Sequence, residues 1–556
     1  MAAAQESTSI NVWHLALPGA ERVVADIAQA RAAHPGQTVA VPVMVRLLAD
    51  QLTPVLAYRR LVSQDQREAP SFLFESVEGG ERQGRHSILG AHPVLMVSAK
   101  REGTGAGQVT SVVHDPARLT SCTPKSGEAP LDLVRRISAG LTLVRPEMSR
   151  DAAMPATFLG GWVGYAAYDS VRSVEPDSLN HPPRDDRNLP ELSFGLYDGV
   201  VVFDHVDKLV YIVQLVLARA SDDIDEAVGR ALTKLNQTCE QVQRHSRPLP
   251  AGVMNPAPPR GTVQSNMSRE QHGQMLARAK EFIRAGDVFQ VVLGQRFERR
   301  SVVDPFDVYR ALRVVNPSPY MVYLQASGCI LVASSPEILC RVRATNAGMQ
   351  VTNRPLAGTR RRGTTIAEDA ALEQELLADP KERAEHIMLV DLGRNDVGKV
   401  SDPGTVDLPT IMEVERYSHV MHISSTVTGT LRSGQDCWDA LGAALPVGTI
   451  SGAPKVRAMQ IIDELEPVRR GPYGGGMGYV GLDGQMDIAL ALRTIVVPMA
   501  AREGGQWVYH LQASGGIVAD SVAEDEYQET VNKAAALARA IDVAEAAFAS
   551  QHEVTS

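Results

Sequence analysis

Cysteine is scarce in this sequence, which has 556 residues and five cysteines. They are scattered, and none belongs to a Cys-x-x-Cys pair: Cys122, Cys239, Cys329, Cys340 and Cys437. An odd number of isolated cysteines argues against a disulfide framework and against a zinc site built from cysteine. The pattern favours a reducing compartment, so we expect the protein to be cytoplasmic.

Long apolar runs and an excess of positive charge are missing as well. The best candidate for a membrane segment, residues 488–501, is interrupted by Arg493, and the first residues contain neither a basic nor an apolar leader region. The net charge is −10, and basic runs such as residues 360–362 are short and not interleaved with aromatic residues. We therefore expect neither a membrane nor a nucleic acid as a partner.

Proline is concentrated in residues 246–266, which we interpret as an extended linker. The linker separates an N-terminal domain of residues 1–245 from a C-terminal domain of residues 267–545. In the second domain, β-rich runs are joined by short turns and helices are grouped between them, which predicts an α+β fold of largely antiparallel sheets with outer helices. The predicted strands include residues 321–326, 329–334, 338–343 and 349–352, and the predicted helices include residues 366–378, 436–445 and 522–549.

The N-terminal domain gives weaker local signals. Residues 1–50 form a lead-in without a clear pattern, and residues 43–60 show a helical pattern that Pro54 interrupts or restarts. Residues 205–208 separate two β-rich runs and suit the turn of a hairpin.

A helix with both ends marked begins after residue 379. Asp379 is a good N-cap, Pro380 suits the first helical position, and Gly393 is expected to end the helix. Glu382 and Glu385 are three residues apart, so both carboxylates lie on one face. Such a pair is common on solvated helices, and it is also a pair of oxygen ligands for a hard divalent cation.

A second helix near the end of the chain repeats this arrangement. Ser521 and Glu524 have the spacing of a capping box, and Glu526 and Glu529 follow, three residues apart. Two facing helices with two glutamates each could hold one Mg²⁺, which takes oxygen ligands and keeps waters and a substrate anion in its shell. The alternative is two solvated helix faces that carry no metal.

Three glycine-containing stretches are unusual for plain packing. Residues 448–457 lead into a helix whose start could hold a carboxylate or a phosphate, or could be an ordinary capped start. Residues 473–479 and 514–516 contain glycine runs within predicted strands, and such runs mark a bulge or a closely approaching ligand or backbone.

Single charged residues also stand out in apolar surroundings. Arg493 lies alone in an apolar strand and needs an anionic partner, which is either a substrate carboxylate or a structural carboxylate of the protein. Glu337 ends a strand, and His422 lies close to a second histidine, His419. Glu337 and His422 could each serve in acid–base catalysis, and each could be structural.

Taken together and in order, these stretches resemble the chorismate-utilising enzymes, and most closely the large subunits of anthranilate synthases. The resemblance extends from about residue 72 to residue 540. It is most specific in seven ordered motifs, residues 334–337, 354–363, 381–396, 417–422, 448–457, 473–479 and 512–533. It implies an α+β fold of two interleaved domains, with a regulatory N-terminal half and a catalytic half that binds chorismate.

The resemblance also implies roles for individual residues. Four glutamates would form the metal site, Glu385 and Glu529 as ligands of Mg²⁺ and Glu382 and Glu526 in support. Three residues would take part in catalysis, Glu337 as the acid for the departing 4-hydroxyl, His422 in the elimination of pyruvate and Thr449 at the pocket. The residues that would hold chorismate are Gly358, Thr359, Tyr473, Arg493, Ser514, Gly515, Gly516 and Lys533.

Two positions distinguish the subfamilies. Gln290 occupies the place of a lysine base that activates water in isochorismate and salicylate synthases, so an amine nucleophile is favoured. Ala357 occupies the place of the lysine that attacks chorismate in aminodeoxychorismate synthases, so direct amination at C2 is expected. Aminodeoxychorismate synthase is the alternative among enzymes, and a non-catalytic protein that binds chorismate or tryptophan is the alternative outside them.

The source of ammonia and the regulation follow from the same resemblance. No glutaminase nucleophile motif surrounds any of the five cysteines, so a separate glutamine amidotransferase subunit is implied, and with it a hetero-oligomer. Feedback inhibition by L-tryptophan is implied too, with a site formed by Glu75, Ser76, Pro319, Tyr320 and Met321. Phe74 stands where the family usually has leucine, a conservative change on a strand.

Overall fold

The computed structural model describes residues 15–78, 82–101, 109–114, 119, 122–149, 153–244, 251–255, 257–417 and 420–548. Its helices are α1 (Ala20–Ala33), α2 (Pro54–Leu61), α3 (Pro130–Ala139), α4 (Ile224–Gln243), α5 (Arg269–Ala285), α6 (Pro305–Val315), α7 (Ile366–Ala378), α8 (Pro380–Val400), α9 (Cys437–Ala444), α10 (Gly448–Ser451), α11 (Lys455–Leu465) and α12 (Ala523–Phe548).

The strands that precede residue 245 are β1 (Thr38–Leu48), β2 (Ser71–Glu75), β3 (Val77–Glu78), β4 (Arg82–Gln83), β5 (His86–Ala91), β6 (Leu95–Arg101), β7 (Val109–His114), β8 (Leu141–Leu143), β9 (Gly161–Ala166), β10 (Leu192–Tyr197), β11 (Gly199–Asp204) and β12 (Leu209–Ala218). The strands that follow are β13 (Gln264–Ser265), β14 (Gln290–Ser301), β15 (Tyr320–Ala326), β16 (Cys329–Ser335), β17 (Ile338–Thr345), β18 (Gly348–Asn353), β19 (Leu356–Arg361), β20 (Asp407–Arg416), β21 (Val420–Thr430), β22 (Gly452–Ala453), β23 (Gly476–Gly481), β24 (Met486–Leu490), β25 (Thr494–Pro498) and β26 (Trp507–Ile517). The predicted strands between residues 321 and 352 and the hairpin turn at residues 205–208 are confirmed.

Two large sheets organise the molecule. The first has the strand order β13-β14-β26-β25-β16-β15-β2-β5-β11-β12-β1-β8, with β22 paired to β14. The second has the order β19-β21-β18-β17-β24-β23-β9-β10-β6-β7, with β20 paired to β21. Neighbouring strands are antiparallel except β1 and β8, so the predicted α+β fold of largely antiparallel sheets is confirmed.

Each sheet contains strands from both sides of the predicted linker. In the first sheet β15 pairs with β2, and Met321 lies opposite Glu75. In the second sheet β23 pairs with β9, and Gly478 lies opposite Gly164. The two halves of the sequence are therefore interleaved in space, as the family resemblance implies, while the boundary between a regulatory and a catalytic domain stays a prediction.

The core lies between the sheets and under the outer helices. Phe72 of the first sheet and Val163 of the second belong to one buried cluster. A second cluster joins the first sheet to α1, α4, α6 and α12, and a third joins the second sheet to α3, α9 and α11. Burial of these apolar faces on both sides of each sheet is the main stabilising contribution to such a layered fold.

The helical pattern expected over residues 43–60 is wrong in its first part. Residues 43–48 belong to β1, which pairs with β12 and β8 and is buried along most of its length. A strand buried on both faces has no polar alternation, so periodicity cannot separate it from a buried helix. The expected restart at Pro54 is correct, because α2 begins there and Thr53 Oγ1 accepts a hydrogen bond from Leu56 N at 3.2 Å. The lead-in is also more ordered than expected, since it contains α1.

Two predicted helix ends are wrong as well. Asp379 caps α8 as expected, but α8 continues past Gly393 to Val400. A Cβ atom at Gly393 would lie 2.7 Å from Asn353 Oδ1, so this glycine permits a close approach to β18 and does not end the helix. Helix α12 begins at Ala523, so Ser521 lies one residue before the N-cap position, and its hydroxyl donates to Glu526 Oε1 at 2.7 Å.

The described part of the predicted linker contains no helix, and its end forms β13. Gly261 N donates to Asp542 Oδ1 of α12 at 2.9 Å, so this stretch is packed onto the C-terminal helix. Residues 246–250 and 256 of the linker lie outside the described residues. All five cysteines are free and buried. Within the described part of the chain, every helix is too short or too polar to cross a membrane.

Candidate active site

The first turns of α8 carry the first glutamate pair. Glu385 Oε1 accepts a hydrogen bond from Gln290 Nε2 of β14 at 3.0 Å. Glu382 Oε1 accepts one from Arg360 Nη1 of β19 at 3.3 Å. Burial raises the pKa of Glu382, and the nearby charge of Glu385 raises it as well. The two carboxylates therefore lie near one another, as their spacing predicts.

The first turns of α12 carry the second pair. Ser521 Oγ donates to Glu526 Oε1 at 2.7 Å, while Glu526 Oε2 is buried and has no hydrogen-bond partner among the described residues. Glu529 Oε1 lies 2.6 Å from Lys533 Nζ. Burial and the charge of Glu529 raise the pKa of Glu526. An unpartnered buried carboxylate oxygen is costly, so this position calls for a proton, a donor or a cation.

Two adjacent glycines of β26 allow both pairs to approach the same strand. A Cβ atom at Gly515 would lie 2.9 Å from Glu526 Oε2. A Cβ atom at Gly516 would lie 2.4 Å from Gln290 Nε2 and 3.7 Å from Glu385 Oε1. Neither position has room for a side chain. The glycine run was predicted to mark a close approach, and here it lets carboxylates from two separate helices approach β26.

The two glutamate pairs fit a hard divalent cation by their chemistry. No group of three or more His, Cys, Asp or Glu side chains in the described ranges is arranged to hold a metal on its own. Mg²⁺ is usually bound by one or two carboxylates, with substrate and water completing its shell. One carboxylate from each helix supplies that number of ligands, and the unpartnered oxygen of Glu526 is consistent with a missing positive charge.

A buried acid lies beside α10. Glu337, between β16 and β17, is 2% exposed. Thr449 Oγ1 of α10 donates to Glu337 Oε1 at 2.9 Å. Burial raises the pKa of Glu337 to about 8, although the hydrogen bond from Thr449 acts in the opposite direction. Glu337 is therefore mostly protonated at neutral pH and can donate a proton.

The ring of His422 in β21 is fixed at one nitrogen and open at the other. Nδ1 lies 2.9 Å from the carbonyl oxygen of Gly358 and 3.1 Å from Thr359 Oγ1. Because a carbonyl oxygen can only accept, Nδ1 carries the proton, and Nε2 is buried without a partner in the described chain. Burial and the charge of Arg493 lower the pKa of His422 to about 4, so the ring is neutral at pH 7.

Arg493 lies where the chain leaves one sheet for the other. The apolar strand predicted around it is wrong, because β24 of the second sheet ends at Leu490 and β25 of the first begins at Thr494. Arg493 has a φ of +45°, which is uncommon for a residue with a side chain. Among the described residues no carboxylate pairs with its guanidinium, so the structural salt bridge is not found.

Other residues predicted to hold the substrate lie around β26. Tyr473 Oη donates to Ser514 Oγ at 3.1 Å, and Lys533 Nζ donates to the carbonyl oxygen of Ser514 at 2.9 Å. Ser514 precedes the glycines that face the glutamates. Tyr473 and Lys533 thus meet at Ser514, next to the two glycines that the glutamate pairs approach.

The residues predicted for the inhibitor site lie together where β2 and β15 pair. Glu75 lies opposite Met321, and its carboxylate accepts a hydrogen bond from Tyr309 Oη at 2.7 Å. Arg313 Nε lies 2.7 Å from the same carboxylate. The remaining members adjoin these two positions in the chain and are Ser76, Pro319 and Tyr320.

The comparison with known proteins agrees with this arrangement. A family model described as chorismate binding enzyme matches residues 91–539. The chain belongs to this family. The resemblance drawn from the seven motifs is confirmed, and the fold of this chorismate-binding enzyme is the one that the resemblance implies.

Relatives of this chorismate-binding enzyme carry the name anthranilate synthase. "Anthranilate synthase alpha subunit 1, chloroplastic" of Oryza sativa subsp. indica is 53% identical over 522 residues, which cover 90% of this chain and 88% of the relative. "Anthranilate synthase component 1" of Thermus thermophilus is 45% identical over 512 residues, covering 91% and 98%. The crystal structure of anthranilate synthase component I from Streptococcus pneumoniae TIGR4 matches with a TM-score of 0.66 and 34% identity, covering 89% of this chain and 99% of that one. Within its family the chain is thus similar to the component I enzymes.

The sequence of this chorismate-binding enzyme did not reveal which side chains form hydrogen bonds to the predicted metal-site glutamates. Arg360 donates to Asp379 Oδ2 at 2.8 Å as well as to Glu382, and its position directly after Thr359 was a usable signal. The contact between Gln290 and Glu385 joins positions 95 residues apart, and no local pattern points to it.

Proposed function

We propose that this enzyme converts chorismate and ammonia to anthranilate and pyruvate, the first step of tryptophan biosynthesis. Ammonia adds at C2 while the 4-hydroxyl leaves, and pyruvate is then eliminated so that the ring becomes aromatic. The observation that carries the proposal is the buried carboxyl of Glu337, whose raised pKa keeps it mostly protonated at neutral pH. The sequence supports the same proposal, because the chain is 53% identical to a relative named anthranilate synthase.

In the first step Glu337 protonates the leaving hydroxyl. Its pKa of about 8 keeps a proton on the carboxyl at neutral pH, and proton donation makes water the leaving group in place of hydroxide. The hydroxyl of Thr449 holds one carboxyl oxygen at 2.9 Å, which leaves the protonated oxygen available to the substrate. Glu337 ends this step as a buried carboxylate, so its affinity for the next proton is high.

In the second step His422 is suited to accept the C2 proton as pyruvate leaves. The ring is neutral, the carbonyl oxygen of Gly358 holds its Nδ1–H group, and the lone pair of Nε2 is free. A proton taken up at Nε2 would create a cation beside Arg493, and the low pKa of about 4 means that it is released readily. A base that recovers quickly suits repeated turnover.

Chorismate carries two carboxylates, and the pocket offers cations for them. The unpaired guanidinium of Arg493 suits the enolpyruvyl carboxylate through paired hydrogen bonds. Lys533 is held close to Glu529 and to the backbone of Ser514, where it can assist. The four glutamates would repel the ring carboxylate unless their charge is compensated.

We propose Mg²⁺ as that compensating charge, held by Glu385 and Glu529 and supported by Glu382 and Glu526. When bound, Mg²⁺ would neutralise the glutamates and accept the ring carboxylate of chorismate. The approach of both helices to β26 and the unpartnered oxygen of Glu526 support this assignment. Dialysis against EDTA should abolish turnover and added Mg²⁺ should restore it, whereas turnover that survives EDTA would contradict the proposal.

Direct amination at C2 is favoured over attack by an enzyme amine or by water. Ala357 carries no nucleophile, which argues against the aminodeoxychorismate synthase alternative. Gln290 is occupied as a donor to Glu385 and, being an amide, cannot act as a base toward water. Chromatography of the product distinguishes the three outcomes.

We propose that a separate glutamine amidotransferase subunit supplies the ammonia, so that the functional enzyme is a hetero-oligomer. A glutaminase nucleophile needs an accessible thiolate, whereas burial raises the pKa of all five thiols, to about 12 for Cys239, Cys329 and Cys437. Exposed apolar side chains stand close in the sequence to Gln290, Glu385 and Glu526 and offer a docking face, Phe289 (77% exposed), Ile387 (55%) and Val522 (55%). Hydrolysis of glutamine by the purified chain alone would contradict this.

We propose feedback inhibition by L-tryptophan at the junction of β2 and β15. The predicted inhibitor residues are gathered there, and Tyr320 lies opposite Ser335, two residues before Glu337. Ser76→Leu should weaken the inhibition and leave the uninhibited rate unchanged, because Ser76 has no part in the proposed chemistry. Inhibition by tryptophan that is as strong in this variant as in the wild type would contradict the assignment.

We also propose a cytoplasmic location. Five free, buried cysteines suit a reducing compartment. The rice relative is named as chloroplastic, so fractionation of the source cells is the test.

The deciding experiment mixes the purified chain with chorismate, Mg²⁺ and a high concentration of ammonium at mildly alkaline pH, and follows anthranilate fluorescence. Anthranilate that forms without a partner subunit is the expected result. Formation of 4-amino-4-deoxychorismate or isochorismate would move the chain to another subfamily. Binding of chorismate without turnover would favour the non-catalytic alternative.

A further inference from the structure

A fully buried ion pair follows α11. The side chains of Glu466 and Arg470 are 3% and 1% exposed. Arg470 Nε donates to Glu466 Oε2 at 2.9 Å, and Arg470 Nη2 donates to Glu466 Oε1 at 2.6 Å. This two-pronged geometry fixes the plane of the guanidinium group and therefore the directions of its other N–H groups.

Those other N–H groups join two backbone segments. Arg470 Nη1 donates to the carbonyl oxygen of Ile450 in α10 at 2.6 Å. Arg470 Nη2 donates to the carbonyl oxygen of Val292 in β14 at 2.7 Å. Glu466 Oε1 accepts a further hydrogen bond from Gly294 N, also in β14, at 2.9 Å. The pair thus holds α10 against β14.

Both segments lead directly to the reacting groups. Ile450 is the residue after Thr449, whose hydroxyl donates to Glu337. Val292 lies two residues after Gln290, whose amide donates to Glu385. The position of Thr449 relative to the glutamate helices is therefore set by two links to β14, the guanidinium bridge from Ile450 to Val292 and the pairing of β22 with β14 after the end of α10.

We propose that Arg470 is a positioning residue for the reaction, which holds Thr449 at Glu337 by fixing the carbonyl group of Ile450 against β14. The inference rests on the proposed function, since it concerns the same acid. Burial of an ion pair adds little net stability, and apolar residues often replace such a pair without loss. The geometric hold on two backbone carbonyls is what an apolar replacement cannot reproduce.

Arg172 provides a matched control. Its side chain is 2% exposed, and it donates to Asp169 at 3.0 Å and to Asp463 at 2.6 Å. Its hydrogen bonds do not involve α10 or β14. Arg172→Lys therefore removes an equally buried guanidinium without touching the segment that carries Thr449.

The test compares Arg470→Lys with Arg172→Lys in the ammonia-dependent assay. A lysine has one ammonium group and cannot bridge the carboxylate and both carbonyls. We expect both variants to lose thermal stability, but only Arg470→Lys to lose kcat, by about 10- to 100-fold, with KM for chorismate within about threefold of the wild type. Equal effects on kcat in the two variants would overturn the inference.

A double-variant cycle with Thr449→Val shows whether Arg470 acts through Thr449. If it does, Arg470→Lys/Thr449→Val should have the same kcat as Thr449→Val. The single variant Arg470→Lys should move the alkaline limb of the kcat profile to higher pH, as Thr449→Val does, because Glu337 loses the hydrogen bond that lowers its pKa. If the two losses in kcat multiply in the double variant and the alkaline limb of Arg470→Lys does not move, Arg470 has a purely structural role.

Hydrogen–deuterium exchange supplies a readout that needs no turnover. Amides of residues 447–453 should exchange faster in Arg470→Lys than in the wild type and at the wild-type rate in Arg172→Lys. Wild-type exchange rates in both variants would overturn the inference. If Arg470→Lys does not fold, Arg470→Met/Glu466→Leu replaces the whole pair without leaving a charge, and the same losses are expected. A wild type that makes no anthranilate refutes the proposed function, whereas an active wild type with normal Arg470→Lys kinetics refutes only the positioning role.

Discussion

Replacement of Glu337 by glutamine should stabilise the protein while it abolishes turnover. The carboxyl is 2% exposed, and burial raises its pKa from an ordinary 4.5 to about 8. Between these pH values the folded protein keeps the proton and the unfolded chain has lost it. Since the unfolded state binds fewer protons, the free energy of unfolding falls as pH rises through this window.

The size of the effect follows from the two pKa values. The cost to the folded state is about 1 kcal/mol at pH 5 and about 3 kcal/mol at pH 7, and it levels off near 5 kcal/mol above pH 8. Glutamine does not titrate, and its amide oxygen still accepts the hydrogen bond from Thr449. The stability of Glu337→Gln relative to the wild type should therefore increase by about 2–3 kcal/mol from pH 5 to pH 7.

Urea denaturation at pH 5, 6 and 7, followed by circular dichroism, measures this difference. Any constant cost of the amide cancels, because only the pH dependence of the difference is compared. Glu175→Gln, at an exposed position, serves as the control and should show a flat difference. A flat difference for Glu337→Gln would mean that Glu337 is ionised at neutral pH, and its assignment as the acid would then be wrong.

Further predictions concern the remaining parts of the site. Arg493→Gln should raise KM for chorismate by about 10- to 100-fold, because a charge-assisted hydrogen bond contributes about 1.5–3 kcal/mol; an unchanged KM in steady-state kinetics would contradict this. Gly516→Ala should abolish turnover, because the added Cβ would lie 2.4 Å from Gln290 Nε2. Gly442→Ala in α9 is the control, since its Cβ has no neighbour closer than 4.0 Å; it should keep turnover and raise the free energy of unfolding by up to about 1 kcal/mol. Burial lowers the pKa of His422 to about 4 in the folded protein. The free energy of unfolding of the wild type should therefore fall by about 3 kcal/mol relative to that of His422→Asn between pH 6.5 and pH 4, as measured by urea denaturation. A difference that does not depend on pH would show that the ring is not buried as a neutral group.

Local signals predicted the parts of the site that depend on neighbouring residues. The cap at Asp379 and the spacing of Glu382 and Glu385 were sufficient to place two carboxylates on one face of α8. The helix end predicted at Gly393 was wrong because a glycine can either adopt a backbone conformation that ends a helix or make room for a close neighbour. The close neighbour, Asn353, is 40 residues away in the sequence. A sequence signal cannot distinguish the two uses.

Features that depend on the arrangement of whole sheets could not be predicted. The apolar run around Arg493 looks like one strand, yet it crosses from the second sheet to the first, and the crossing gives Arg493 its unusual φ. The roles assigned to Glu337 and His422 came from the family motifs, while their burial and bonding required the structure. The bridge from Arg470 to Ile450 and Val292 is of the same kind, because it joins three distant segments.

The interleaving of the two halves has a consequence for how the chain is made. Strand β2 emerges from the ribosome roughly 245 residues before its partner β15, and β9 waits even longer for β23. At about 5–20 residues per second, β2 is exposed for about 10–50 s with an unpaired edge. Such an edge can pair with another nascent chain, so efficient production should depend on chaperones that shield these strands. For the same reason, expression of the C-terminal half alone should leave both sheets truncated, with β15 and β23 as unpaired edge strands, and yield an aggregating product.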